Sequence, residues 1–187
     1  MTWSMNEVEA LARKAARGAG FGWGHAEDAG RATRWLCQHG LDGSAALARY
    51  LDALSGDLAC PIRLGAALSD SRPDETKVEL GTLAEPLLVL PFVADVARAS
   101  QTDWVLRSAT GWACLGPDGG ARMSGELGGP LTLIRDQAQG DFLPPVRRAV
   151  VTEAAAQILQ RFAARTYAPA TEESRLAGAG AGVSDND

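Results

Sequence analysis

Glycine occupies every second position from Gly18 to Gly24, and a stretch with helical periodicity lies on each side of the run. Four residues without a β-carbon in seven make a poor helix or strand interior. The chain is therefore expected to turn here. Phe21, Trp23 and His25 sit in or beside the run, and His25 is one of only two histidines.

The flanking patterns define an N-terminal helical unit. Ser4 and Glu7 have the spacing of a capping box, with Trp3 and Val8 placed as a hydrophobic staple. Val8, Leu11, Ala12 and Ala15 then give one apolar face to a helix over 5–17, which Gly18 can end in the left-handed conformation. A second helix is expected from Gly24 to His39, with Ala26, Ala29, Ala32 and Leu36 as a slim apolar face and Trp35 at its edge. Gly40 stops it. Asp42-Gly-Ser44 opens a third helix, with Leu47, Tyr50, Leu51 and Leu54 as its stripe.

Beyond Ser55-Gly56 the period changes. Cys60-Pro-Ile-Arg-Leu-Gly65 reads as a strand or irregular chain, and 69–76 as a surface loop. The apolar run 87–90 before Pro91 reads as a buried strand leading into a helix at 91–100; the alternative is one helix kinked at Pro91. Residues 103–136 carry antiparallel β signals, with turn chemistry at Pro117-Asp-Gly-Gly120. Pro144-Pro145 is expected to open a long final helix through Val150, Ala154, Ile158 and Phe162, ended by Pro169, and Thr171 caps a further turn. The fold class is α+β: an N-terminal helical unit, an antiparallel β-sheet, and a long C-terminal helix packed on the sheet. Residues 1–176 form a single domain and 177–187 a Gly/Ala-rich tail.

The chain has 187 residues, 46% of them hydrophobic, enough to bury one core without disulfide staples. Its net charge of −5, without a large basic block, argues against nucleic acid as a partner. Arg13, Lys14 and Arg17 are read as a solvated helix face. No apolar run reaches the ~20 residues of a membrane span. The first residues lack the basic and apolar regions of a secretory signal. Cys37, Cys60 and Cys114 are odd in number and lack a C-x-x-C pair. Together these lead to a soluble cytoplasmic protein.

The glycine run is not a phosphate loop. It follows a helix instead of a strand, lacks the G-x-G-x-x-G spacing, and is not followed by Lys-Ser/Thr. Glu27 and Asp28, placed in the first helical turn, would also repel an anion. The plain reading is a tight helix–helix corner; the sharper one adds a small-molecule pocket. His25 with Asp28, at i and i+3, forms a candidate general base and carboxylate, against the plainer reading of a solvent-facing histidine. Glu27 and Arg31 form an i, i+4 pair. His25 and His39 are too far apart for a zinc motif, so no metal site is assigned. Cys60 is a candidate nucleophile only with a histidine in reach; the default is a structural thiol.

Three segments carry a family resemblance: 6–30, including the glycine run; Cys60-Pro-Ile-Arg-Leu-Gly-Ala-Ala67; and 166–187, ending Gly-Val-Ser-Asp-Asn-Asp. The chain resembles a bacterial family of uncharacterised proteins built on a domain of unknown function. The resemblance spans nearly the whole chain. It implies one domain and brings no activity or cofactor. It does suggest that the closing segment docks near the glycine corner or on a partner. The candidate ligand-binding residues are Gly22, Trp23, Gly24, His25, Glu27 and Asp28, with Arg175 and Asp185 from the tail. The leading functional expectation is a non-catalytic small-molecule-binding or accessory subunit in bacterial metabolism. The alternatives are a small hydrolase, isomerase or lyase using His25 and a carboxylate, and a structural or homo-oligomerisation module.

Overall fold

The first helix begins where the capping box places it. The Ser4 backbone N–H donates to Glu7 Oε2 at 2.7 Å and the Glu7 N–H to Ser4 Oγ at 3.2 Å, satisfying two groups that a bare helix end leaves open. A computed structural model describes residues 1–54 and 58–166. In chain order the elements are β1 (Thr2–Ser4), α1 (Met5–Gly18), α2 (Trp23–Gln38), α3 (Gly43–Asp52), α4 (Pro61–Ser71), β2 (Lys77–Thr82) and α5 (Leu90–Ser100). A 3₁₀ turn, Pro86–Val89, leads into α5. Then follow β3 (Trp104–Arg107), β4 (Gly111–Leu115), β5 (Ala121–Gly125), β6 (Pro130–Ile134), β7 (Arg148–Val150) and α6 (Glu153–Ala164). The protein is mixed α+β, as its sequence predicts.

Helices α1, α2 and α3 pack in sequence, and α6 closes the group by lying against α1 and α3. The small side chains of α2 do what their size predicts: Ala26, Ala29, Ala32 and Leu36 are almost wholly buried against neighbouring helices. Arg34 on α2 reaches back to Glu9 Oε2 at 2.7 Å and Asn6 Oδ1 at 3.0 Å on α1. Arg49 on α3 makes a two-pronged pair with Glu85, just ahead of the 3₁₀ turn.

Strands β2, β6, β3, β4 and β5 form one antiparallel sheet in that order. Trp104 faces Leu115 and Val105 faces Ile134 across β3. The turn between β4 and β5 forms as its residues require, with Gly119 at φ +86° and Gly120 N–H bound to Asp118 Oδ1. Strands β1 and β7 make a separate two-stranded ribbon, with Trp3 opposite Ala149. Helix α5 packs on β3 and β4 and also touches α2 and α4, so it joins the sheet to the helices.

Four expectations need correction. Cys60–Gly65 is neither strand nor irregular: Cys60 is the N-cap of α4 and Pro61 its first residue, where proline's missing N–H costs nothing. The run 87–90 is helical, not a strand; Leu88, Val89 and Leu90 are apolar throughout because the segment is buried on every side. The alternative of continuous helical chain through Pro91 is the nearer description. The final helix starts at Glu153, capped by Thr152 Oγ1, and has 12 residues, because 148–150 is drawn into the ribbon with β1. It packs on α1 and α3; α5 is the helix on the sheet. Lastly, Ser69–Ser71 ends α4, so the loop before β2 is shorter than 69–76. The turn expected after Thr171 and the tail at 177–187 lie outside the described residues.

Candidate functional site

The glycine corner divides its work among the four glycines. Gly18 is the last residue of α1 and lies against α6: a β-carbon there would sit 1.8 Å from the Phe162 carbonyl oxygen. Its role is close approach; the left-handed residue that the sequence places at Gly18 is Gly20, at φ +97°. Gly22 is the N-cap of α2 and Gly24 lies in its first turn; a β-carbon at either would meet no atom within 4 Å. Phe21 turns inward, 5% exposed, and meets Tyr50 edge to face at 6.3 Å.

Trp23 turns the other way and is 68% exposed. The Arg17 guanidinium stacks over its ring at 4.4 Å and also donates to the Phe21 carbonyl, so the backbone of the corner holds this cation against the indole. Arg13 and Lys14, one turn earlier on α1, lie on the same side. Across the gap is Arg165 at the end of α6, its guanidinium 4.4 Å from the Phe162 ring. These residues, with Gly18, Gly20 and Thr166, line a groove of about 600 Å³. A second, more apolar groove of about 420 Å³ shares Lys14 and is lined also by Trp3, Glu7, Leu11, Ala163 and Ala164.

Of the residues expected to bind ligand, Trp23 lines this groove. Gly22 and Gly24 adjoin it as exposed backbone, and His25, Glu27 and Asp28 are not part of its wall. They lie further along α2. His25 Nδ1 is 3.5 Å from Asp28 Oδ2, so the expected pair forms. Asp28 is also held by Arg31 Nη2 at 2.5 Å, so Arg31 pairs with Asp28 and not with Glu27. Because α2 begins at Trp23, Glu27 and Asp28 fall in its second turn, and its first turn carries no acid. The objection that these acids repel an anion from the helix start therefore loses its force. Arg175 and Asp185 lie outside the described residues.

Among the described residues, no histidine is in contact with Cys60. Its Sγ accepts from the Arg63 N–H at 3.5 Å, while the hydrogen-bonded partners of His25 and His39 lie elsewhere. Burial, followed by the hydrogen bond to Cys60, pushes the Tyr50 hydroxyl well above the usual phenol range. Burial also raises the Cys37 thiol, 3.8 Å from Ser44 Oγ. His39 is a contact that sequence reasoning missed. Its ring stacks on Trp35 at 3.8 Å, with Nδ1 2.8 Å from the Trp35 carbonyl oxygen and Nε2 3.3 Å from that of Gly119, tying the end of α2 to the β4–β5 turn. The i, i+4 spacing of Trp35 and His39 was its only sequence signal.

Chemically, the groove can hold a negative group and a flat one. Guanidinium groups bind carboxylate or phosphate with paired N–H donors, and an exposed indole stacks on planar apolar matter. Among the described residues that line it there is no carboxylate, histidine or cysteine to move a proton or attack a substrate. Among the described residues, no cluster of three His, Cys, Asp or Glu is placed to hold a metal, and no helix is long and apolar enough to cross a membrane.

No curated protein and no solved structure matches the chain. The resemblance read from 6–30 and 60–67 is met by a family match, though it stops short of the nearly complete span first expected and does not reach 166–187. Residues 3–79, from Trp3 through α1 to α4 and into β2, match the family described as "Protein of unknown function (DUF3726)".

Proposed function

We propose that this chain is a non-catalytic binding protein or accessory subunit, and that its site is the groove at the glycine corner. The ligand is a small molecule with an anionic group beside a planar or apolar part. One observation carries the reading: Arg13, Arg17 and Arg165 converge on one groove beside an exposed Trp23, in a chain of net charge −5. Like charges gathered on one wall repel one another, and an anion between them removes that cost. The enzymatic alternative is less well supported, because His25 and Asp28 stand outside the groove and Asp28 is taken up by Arg31. The free thiols, with Cys37 and Cys114 buried, support a reducing compartment such as the bacterial cytoplasm.

A thermal-shift panel of inorganic phosphate, pyrophosphate, nucleotides, di- and tricarboxylates and aromatic carboxylates tests this. A ligand at one hundred times its Kd adds about 2.7 kcal/mol of apparent stability, roughly 5–11 °C for a chain of this size. Arg17→Ala and Trp23→Ala should each abolish most of the shift. A ligand whose shift survives both substitutions, or a panel without any shift, would remove the reading.

A further inference from the structure

The groove at the glycine corner and its apolar neighbour differ in what they can hold. The first gathers Arg13, Arg17 and Arg165 beside Trp23. The second shares Lys14 with it but is otherwise mostly apolar, with half-buried Trp3, Ala10 and Leu11 facing Ala163 and Ala164. Its one carboxylate belongs to Glu7, whose Oε2 accepts the Ser4 N–H at 2.7 Å, at the start of α1. Leu11, Lys14 and Arg17 follow one another at three-residue spacing, so they run along one side of α1. From Arg17 back to Leu11 is six residues, about 9 Å along the helix. An extended alkyl chain advances about 1.25 Å per carbon, from a bond of roughly 1.52 Å and an angle of about 111°. About seven methylenes therefore span that distance.

We propose that the ligand is a single-chain amphiphile, with a phosphate or carboxylate head held by Arg13, Arg17 and Arg165 and an alkyl chain laid along α1 toward Leu11, Trp3 and the alanines of α6. This rests on the binding role proposed above and specifies the apolar part of the ligand. Charge decides which end lies where. A head in the apolar groove would face the Glu7 carboxylate. A tail among the arginines would strip water from guanidinium groups without replacing its hydrogen bonds. The ligand is a free molecule and not a lipid in a bilayer, because a protein of net charge −5 is repelled by an anionic membrane surface.

Calorimetric titration of the full-length chain with butyl, hexyl and octyl phosphate, each below its micelle-forming concentration, tests this. Covering one methylene completely is worth about fourfold in affinity, and covering half of it about twofold. Octyl phosphate should therefore bind on the order of tenfold tighter than butyl phosphate. Ala164→Asp puts a carboxylate into the apolar groove at an exposed position, and should erase that difference while leaving butyl phosphate bound. Arg17→Ala should weaken all three homologues by a similar factor. Arg165→Ala should do the same from an exposed position, without disturbing the bond to the Phe21 carbonyl. Butyl phosphate binding with no gain at octyl would overturn the amphiphile and leave the anion site standing. No binding by any of the three would overturn it as well, and the panel described above then decides the wider reading separately. An octyl-to-butyl ratio unchanged in Ala164→Asp would put the tail elsewhere and sink the proposal, as would an octyl affinity indifferent to both arginine variants. Retention on phosphatidylglycerol vesicles that either arginine variant lowers would assign the surface to a membrane and overturn the free ligand.

Discussion

Replacing Gly18 with alanine sets two effects of opposite sign against each other. Helix propensity favours alanine over glycine by up to about 1 kcal/mol. Packing opposes it, because the new β-carbon would lie 1.8 Å from the Phe162 carbonyl oxygen and 2.7 Å from its carbon. Real β-carbons stay beyond 3.0 Å, so α6 must withdraw by about 1.2 Å. The obstacle is helix backbone and cannot swing aside as a side-chain end would. Overpacking costs about 1–3 kcal/mol; against rigid helix backbone the upper end applies, and subtracting the propensity gain of about 1 kcal/mol leaves a net loss of roughly 2 kcal/mol. That is about 4–8 °C in melting temperature for a domain of this length. Gly24→Ala is the matched control, since nothing lies within 4 Å of its added carbon and the position is helical. It should be neutral or stabilising by up to about 1 kcal/mol. Urea denaturation of both variants at equal slope decides the matter. A Gly18→Ala protein as stable as the parent would show that α1 and α6 do not touch as described.

Ser100→Ala removes the oxygen that accepts the indole N–H of fully buried Trp104 at 2.9 Å, and should cost about 1–3 kcal/mol in a denaturant melt. The Ser4 N–H first, and its hydroxyl second, hold the Glu7 carboxyl below the ordinary value of 4.5. The folded state then binds fewer protons than the unfolded one between those two values, so stability rises with pH across that window. The contribution is complete above 4.5 and is lost as pH falls through the depressed value; denaturation of wild type and Glu7→Gln should therefore converge on acidification. Native alkylation with iodoacetamide, followed by mass spectrometry, should modify Cys60 first and leave buried Cys37 and Cys114 until the chain unfolds.

The helices that could be read in advance were those with two independent signals. Around α1 the cap, staple and periodicity agree, and its start is correct to the residue. In α2 the alanine spacing located the buried face. The β4–β5 hairpin was legible because turn chemistry at Pro117-Asp-Gly-Gly120 separates its strands. Where a segment is buried on all sides, as at 88–90, the apolar pattern has no period and loses the information that separates helix from strand. The ribbon of β1 with β7 was invisible for another reason: Thr2–Ser4 and Arg148–Val150 are three residues each and specify each other only across the whole chain. The site was half legible. The glycines drew attention to Trp23, but Arg165 joins it only because α6 returns to α1, and no local pattern near Arg165 announces that return.

The pairing of the chain's opening residues with 148–150 also bears on the order of synthesis. Helix α1 is made well before its distant partners: the strand that fixes its start and the helix that covers its face follow about 145 residues later. At typical translation rates of 5–20 residues per second, that leaves an interval on the order of ten seconds. Through it, the apolar face of α1 with Val8, Ala12 and Ala15 has only α2 and α3 of its helical partners. The nascent chain is therefore expected to engage a holding chaperone in this interval, and to release it when the end of α6 emerges.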